Sequence, residues 1–82
     1  MKFVGASVPF VKKTDPHDGT EYVIYNHPVN LEHVWYFSKT SQTDWDSGYF
    51  IQFRFPGGKQ YWAYETEEAR DTEYDNLINM VL

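Results

Sequence analysis

Tyr49-Phe50-Ile51-Gln52-Phe53-Arg54-Phe55-Pro56-Gly57-Gly58-Lys59-Gln60-Tyr61-Trp62-Ala63-Tyr64 is the stretch whose reading decides the fold. Tyr49, Ile51, Phe53 and Phe55 alternate with Phe50, Gln52 and Arg54, the two-residue period of a β-strand. Gly-Gly between two such runs is a strong two-residue hairpin signal. With Gly57 and Gly58 as the loop, Phe55 opposes Gln60, Phe53 opposes Trp62 and Ile51 opposes Tyr64. Opposed residues share a face, so Ile51, Phe53, Trp62 and Tyr64 fall together and are read as the core side. The other face pairs Arg54 with Tyr61 and Gln52 with Ala63.

Downstream of this hairpin the period changes. Thr66 is placed as an N-cap, and Glu67 and Glu68 follow where a helix dipole favours anions. Tyr74, Leu77, Ile78 and Val81 recur at helical spacing, so a C-terminal helix is expected to lay that stripe on the core face. Upstream, residues 2–12 read as a strand interrupted by Pro9, which points to an edge or a bend. Thr14-Asp15-Pro16-His17-Asp18-Gly19 is a turn, and Glu21 to Tyr25 returns as a strand, giving a second hairpin. Leu31 to Lys39 reads as a further strand, apolar on both faces, with Trp35 and Phe37 on one and Val34 and Tyr36 on the other, and is expected to be a central strand covered on both sides or one whose second face meets a partner. Thr40 to Gly48 is a polar loop carrying Trp45. The expected architecture is α+β: an antiparallel sheet of about five strands with a single C-terminal helix on one face, residues 1–82 forming one domain.

Composition bounds the rest. A chain of 82 residues must find its stability in a small core, and there is no cysteine to staple it. Phe, Tyr and Trp make up 20% of the chain, enough to supply that core and leave rings over for an interface. The net charge of −5 speaks against direct nucleic-acid binding, which needs clustered Lys and Arg. No stretch reaches the ~20 apolar residues of a membrane span, and no signal peptide is read at the start, so no membrane partner and a cytoplasmic location are expected.

From Val29-Asn30-Leu31, through Gly57-Gly58-Lys59, to Glu65-Thr66-Glu67-Glu68-Ala69-Arg70, the chain resembles small bacterial and phage domains with an antiparallel sheet and one C-terminal helix, some of them similar to the pleckstrin-homology fold. The resemblance covers residues 28–81 and implies a fold more than an activity.

No set of residues demands a reaction. None of Ser7, Ser38, Ser41 and Ser47 stands in a nucleophile elbow, and no cofactor is implied. His17 with Asp15 and Asp18 is the one local metal-like cluster, and a turn built from Asx residues accounts for it; a metal-assisted hydrolase there is a minor third reading. Two surfaces stand out. Trp35, Tyr36, Phe37, Trp45, Phe50 and Tyr61 exceed what the helix-covered core can hold, and form either a second layer under the N-terminal hairpin or an exposed interface, to which Arg54 beside Tyr61 would add. Glu67, Glu68, Asp71 and Asp75, with Glu65 and Glu73 beside them, form either a solvated helix face or a negative surface for a basic partner. The expected function is therefore a non-enzymatic binding protein that meets another protein, one that is basic or handles nucleic acid, in the manner of phage-encoded inhibitors of host proteins. A homodimer through a sheet edge or the aromatic face is also expected. The alternative is a small-molecule binder that stacks a nucleotide-like planar ligand on the rings.

Overall fold

The Tyr49–Tyr64 stretch forms a hairpin that includes the longest described strand in a computed structural model that describes residues 3–44 and 46–81. Seven strands and one helix follow in order: β1 Phe3–Val4, β2 Phe10–Thr14, β3 Glu21–Tyr25, β4 Val29–Asn30, β5 Tyr36–Gln42, β6 Ser47–Phe55, β7 Gly58–Tyr64 and α1 Glu67–Val81. All pairings are antiparallel, and a single helix closes the chain, so the class is α+β as read from the sequence. The strands do not make one sheet, however. They divide into β5-β6-β7, β2-β3 and the short pair β1-β4.

The central hairpin keeps the expected face but not the expected register. Ile51 opposes Trp62, Phe53 opposes Gln60 and Phe55 opposes Gly58, a slide of two residues. Pro56 and Gly57 occupy the turn, and Gly58 takes φ +150, a left-handed value that favours glycine. Proline fixes its own φ at the corner, so it draws the turn one residue towards the N-terminus. A two-residue slide preserves which side chains share a face. Ile51, Phe53, Trp62 and Tyr64 are accordingly all buried, with Val29 and Leu77, in the main core. Phe53 and Trp62 meet edge to face with ring centroids 4.6 Å apart, a geometry that suits the ring quadrupoles.

Helix α1 begins where the cap signal places it. Thr66 Oγ1 accepts the Ala69 N–H at 3.1 Å. The face it buries is rotated from the one expected. Leu77 and Glu73 are buried, Tyr74 packs on Phe37 at 5.5 Å, and Val81 is exposed.

Two upstream readings change. Pro9 divides residues 2–12 into β1 and β2, which join different sheets. Leu31–His33 is a 3-10 turn rather than the start of a strand, because Asn30 Oδ1 accepts the Glu32 N–H at 3.1 Å and bends the chain. The strand that follows is the outer strand of its sheet, not a central one.

Hairpin β2-β3 lies over the far face of the sheet. There Val11, Phe50 and Ala63 form a second buried cluster, flanked by Ile24 and Tyr61. The joint is Asn26, 6% exposed. Its Nδ2 donates to the carbonyls of Val8 at 2.7 Å and Ala63 at 3.0 Å, and its Oδ1 accepts the Ala63 N–H at 2.7 Å. Replacing Asn26 with Ala leaves those buried groups unpaired and is expected to cost about 2–3 kcal/mol. Chemical denaturation checks it: the midpoint should fall with an unchanged slope. A midpoint like that of the native chain would show that Asn26 is not the joint.

Candidate functional site

The chain leaves its core at the end of the sheet that carries the Pro56-Gly57 turn, and large rings there face water. The 3-10 turn at Leu31–His33 delivers Trp35 to the start of β5, where its N–H donates to the Arg54 carbonyl at 2.8 Å. That bond fixes the backbone while the indole stands 66% exposed. Tyr36 beside it is 55% exposed, and Phe3 on β1 is 58% exposed. Two adjoining hollows mark this end. One, of about 450 Å³, is lined by Glu32, His33, Trp35, Phe55, Pro56 and Gly57. The other, of about 340 Å³, is lined chiefly by Phe3, Pro28, Val29, His33, Phe55 and Gln60. Phe55 and His33 line both, so the two hollows adjoin.

The aromatic residues singled out in the sequence divide accordingly. Trp35 is on this surface. Phe37 is not: it packs between Phe53 and Tyr74, beneath the helix. Phe50 is fully buried under the N-terminal hairpin, with Val11 and Ala63. Tyr61 is half-buried and meets Phe50 edge to face at 6.1 Å. Arg54 is half-buried and opposes Lys59 and Tyr36, not Tyr61, because of the register slide. Trp45 lies outside the described residues. Phe3 and Phe55 were missed, while Tyr36, counted among the spare rings, is exposed but lines neither hollow. Phe55 has the parity of a core residue, but it sits at the turn and lines the hollows instead.

The acidic group also divides. Glu67, Glu68 and Asp75 are exposed on α1. Asp71 is neutralised in place, with its Oδ1 3.0 Å from Arg70 Nε and 3.7 Å from Lys39 Nζ. Glu73 is drawn inward, 7% exposed, and its Oε1 accepts the Ser7 N–H at 2.7 Å, the Ser7 hydroxyl at 3.0 Å and the Tyr64 hydroxyl at 3.1 Å. Its signal in the sequence is position: Glu73 stands four residues before Leu77 on the same helix face.

A third cleft, of about 490 Å³, opens between the tip of β2-β3 and the start of β6. Two of its charges, Lys13 and Asp46, are engaged with each other. Lys13 Nζ lies 2.7 Å from the Ser47 carbonyl and 3.3 Å from Asp46, while the Tyr22 hydroxyl donates to Asp46 at 2.8 Å. Burial alone would raise the Asp46 carboxyl, but the bonds from Tyr22, the Ser47 N–H and Lys13, with the lysine's charge, hold it below its ordinary value. Gly48 stands beside this tie at φ +146, a backbone conformation that side-chain-bearing residues rarely adopt. These contacts read as a fastening of the hairpin tip. In the turn itself, Asp15 and Asp18 accept the backbone N–H groups of His17 and Thr20, both at 2.8 Å. Among the described residues no group of three His, Asp or Glu side chains is placed to hold a metal ion, and no helix is long and apolar enough to cross a membrane.

No family model, curated protein or solved structure matches this chain.

The buried pair Tyr64–Glu73 makes a pH prediction. Burial, then the Glu73 charge, then the hydrogen bond to it push the Tyr64 hydroxyl far above its ordinary value of 10.0. The unfolded chain therefore releases that proton first, so the contribution of Tyr64 is full below about pH 10 and lost as pH rises beyond it. Urea midpoints measured between about pH 8 and 11 should fall more steeply for the native chain than for Tyr64→Phe. Parallel curves would refute the assignment.

Proposed function

We propose that this chain is a non-enzymatic binding protein that acts by docking on another protein through its exposed aromatic end. The observation that carries the reading is the pair of adjoining hollows on either side of Phe55, one lined by Phe3 and the other by Trp35, with both of those rings open to water. Exposed contiguous apolar surface on a soluble domain marks an interface, and tryptophan is among the strongest anchors of such contacts. Pro28 and Pro56 stiffen the rim, so little ordering opposes binding. The exposed carboxylates of Glu67, Glu68 and Asp75 favour a basic partner, and would act on orientation and association rate more than on affinity. The mode of action is steric occupation of the partner, which is how a small inhibitor of a host enzyme works.

A second reading rests on the size of the hollows. Volumes of about 340 and 450 Å³ beside an indole suit a planar small molecule such as a nucleotide base.

Affinity capture from the native host, with mass-spectrometric identification, should return a partner that Trp35→Ala and Phe3→Ser both fail to hold. Truncating such an anchor is expected to weaken the complex about thirtyfold or more, with the far-ultraviolet dichroism unchanged. A partner held equally well by both variants would refute the aromatic surface. A rise in melting temperature with nucleotides, abolished by Trp35→Ala, would favour the ligand reading instead. Light scattering decides whether the partner is a second copy.

A further inference from the structure

The two edges of the main sheet are treated differently. At Ala63 the outer edge of β7 is occupied, since both backbone groups of that residue bond to Asn26. Ala63 therefore turns its N–H and C=O away from β6, and Phe50 opposite it turns its own away from β7. By alternation Phe50, Gln52 and Arg54 bond towards β5, in keeping with the Arg54 carbonyl that accepts the Trp35 N–H. Their opposites Tyr36, Ser38 and Thr40 bond back. Phe37 and Lys39 then point their backbone groups outward, at the free edge of β5. No further strand pairs there, and among the described residues no other group bonds to either backbone. The open stretch is short, because a 3-10 turn ends just before it and the register shifts between Thr40 and Gln42. A lysine on an edge often guards against pairing. Here Lys39 is folded back on its own helix, with Nζ 3.7 Å from Asp71 and 5.2 Å from the centre of the Tyr74 ring, so its charge is answered within its own chain.

We propose that this free edge of β5 pairs antiparallel with the same edge of a second copy of the chain, joining two three-stranded sheets into one across a two-fold axis at Ser38. The inference does not rest on the aromatic docking surface. The residues themselves select the register. With Ser38 on the axis, Phe37 lies opposite the partner's Lys39 and Lys39 opposite the partner's Phe37, so every outward N–H meets an outward C=O. The two serines meet at the non-bonded position, where strands approach to about 4.5 Å and a small side chain fits. Tyr36 falls opposite the partner's Thr40, an aromatic ring beside a β-branched residue. A shift of one residue sets outward groups against inward ones. A shift of two in one direction sets Lys39 against the partner's Lys39, like charges directly opposed. In the other direction it sets Lys39 against the partner's Trp35, whose N–H is already bonded to Arg54. The edge thus complements itself in both charge and pattern. A foreign strand is less suited, because strand addition gains specificity from pockets for alternate side chains, and none of the hollows described above is lined by residues 36–40. Assembly stops at two, since the contact is isologous and the opposite edge of each sheet is occupied at Ala63.

Sedimentation velocity on the full chain from about 1 μM to 1 mM should show monomer passing to dimer and nothing larger. Ser38→Cys tests the axis. The chain has no cysteine of its own, and a thiol is close in size to the hydroxyl it replaces. Across the axis the two thiols stand within disulfide reach, so oxidised glutathione should convert this variant to a covalent dimer. Ser41→Cys, exposed but away from the axis, should not cross-link under the same conditions. Lys39→Pro removes an outward N–H without touching a bond inside the sheet, and should weaken the dimer about tenfold or more. Phe3→Ser, at the aromatic end, should leave the dimer intact. Monomer throughout that range, species growing beyond the dimer, Ser41→Cys cross-linking as fast as Ser38→Cys, or a dimer lost in Phe3→Ser and kept in Lys39→Pro would each overturn the proposal. If Lys39→Pro fails to fold, the two cysteine variants still decide. A negative result strikes the β5 edge alone, because capture of a partner through Trp35 and Phe3 is read separately.

Discussion

The architecture depends on a side-chain amide standing where a strand would otherwise be. Strand β7 is an edge of its sheet, and Ala63 presents an N–H and a C=O to whatever lies beside it. Asn26 supplies the acceptor and the donor that a neighbouring strand would have supplied, and spends its other N–H on Val8. The next residue continues the cover, since the His27 carbonyl accepts both the Trp62 indole N–H at 2.7 Å and the Gln60 amide at 2.8 Å. Asn26 thus satisfies the backbone edge of β7 at Ala63, and His27 ties down two side chains of the same strand, without extending the sheet. An open edge invites pairing with other chains. At Ala63 that edge is occupied by a side chain from the segment that follows β3, and the same bonds hold hairpin β2-β3 against the main sheet as a separate pair.

This is why the parity of the sequence was legible while its connectivity was not. Alternation in Tyr49–Tyr64 reports which side chains share a face, and that reading survives a two-residue slide. It therefore located Ile51, Phe53, Trp62 and Tyr64 correctly while misplacing every pair. The end of the hairpin depends on Pro56, whose fixed φ outweighs the Gly-Gly signal. The division into three sheets depends on Asn26 and Asn30, short polar side chains whose bonds to backbone cannot be told from loop composition. Phe37 and Phe50 show the same boundary. Period alone says each lies on one side of a strand, and only the position of the helix and of the folded-over hairpin says that both sides are covered. Trp35 escapes because the 3-10 turn before it ends short of either cover.

The helix carries the second lesson. Six acidic residues between Glu65 and Asp75 look alike in the sequence, but the fold gives them three different tasks. Asp71 is held between Arg70 and Lys39. Such exposed pairs contribute little to stability, but they remove a charge from the surface. Glu67, Glu68 and Asp75 stay in water. Glu73 turns inward and ties Ser7, at the N-terminal end of the chain, to Tyr64, at the end of β7. A pattern of apolar residues alone cannot reveal it, because the helix face that meets the sheet contains a carboxylate. The hydrophobic stripe drawn through Val81 was rotated for that reason.

Two buried polar side chains thus do for this chain what a larger core does for a longer one. Asn26 fastens the N-terminal hairpin, and Glu73 fastens the N-terminal segment to the helix. Each is satisfied by several donors or acceptors, so each fixes geometry at a small net energy while its loss would leave buried groups unpaired. The same economy explains where unpartnered surface remains. Apolar cover is spent at the helix and at the hairpin, and neither reaches the Pro56-Gly57 end, so Phe3, Trp35 and Phe55 are left together there. The exposed rings at that end are therefore a consequence of how a chain of 82 residues closes its core, which means that variants altering them need not disturb the fold that places them.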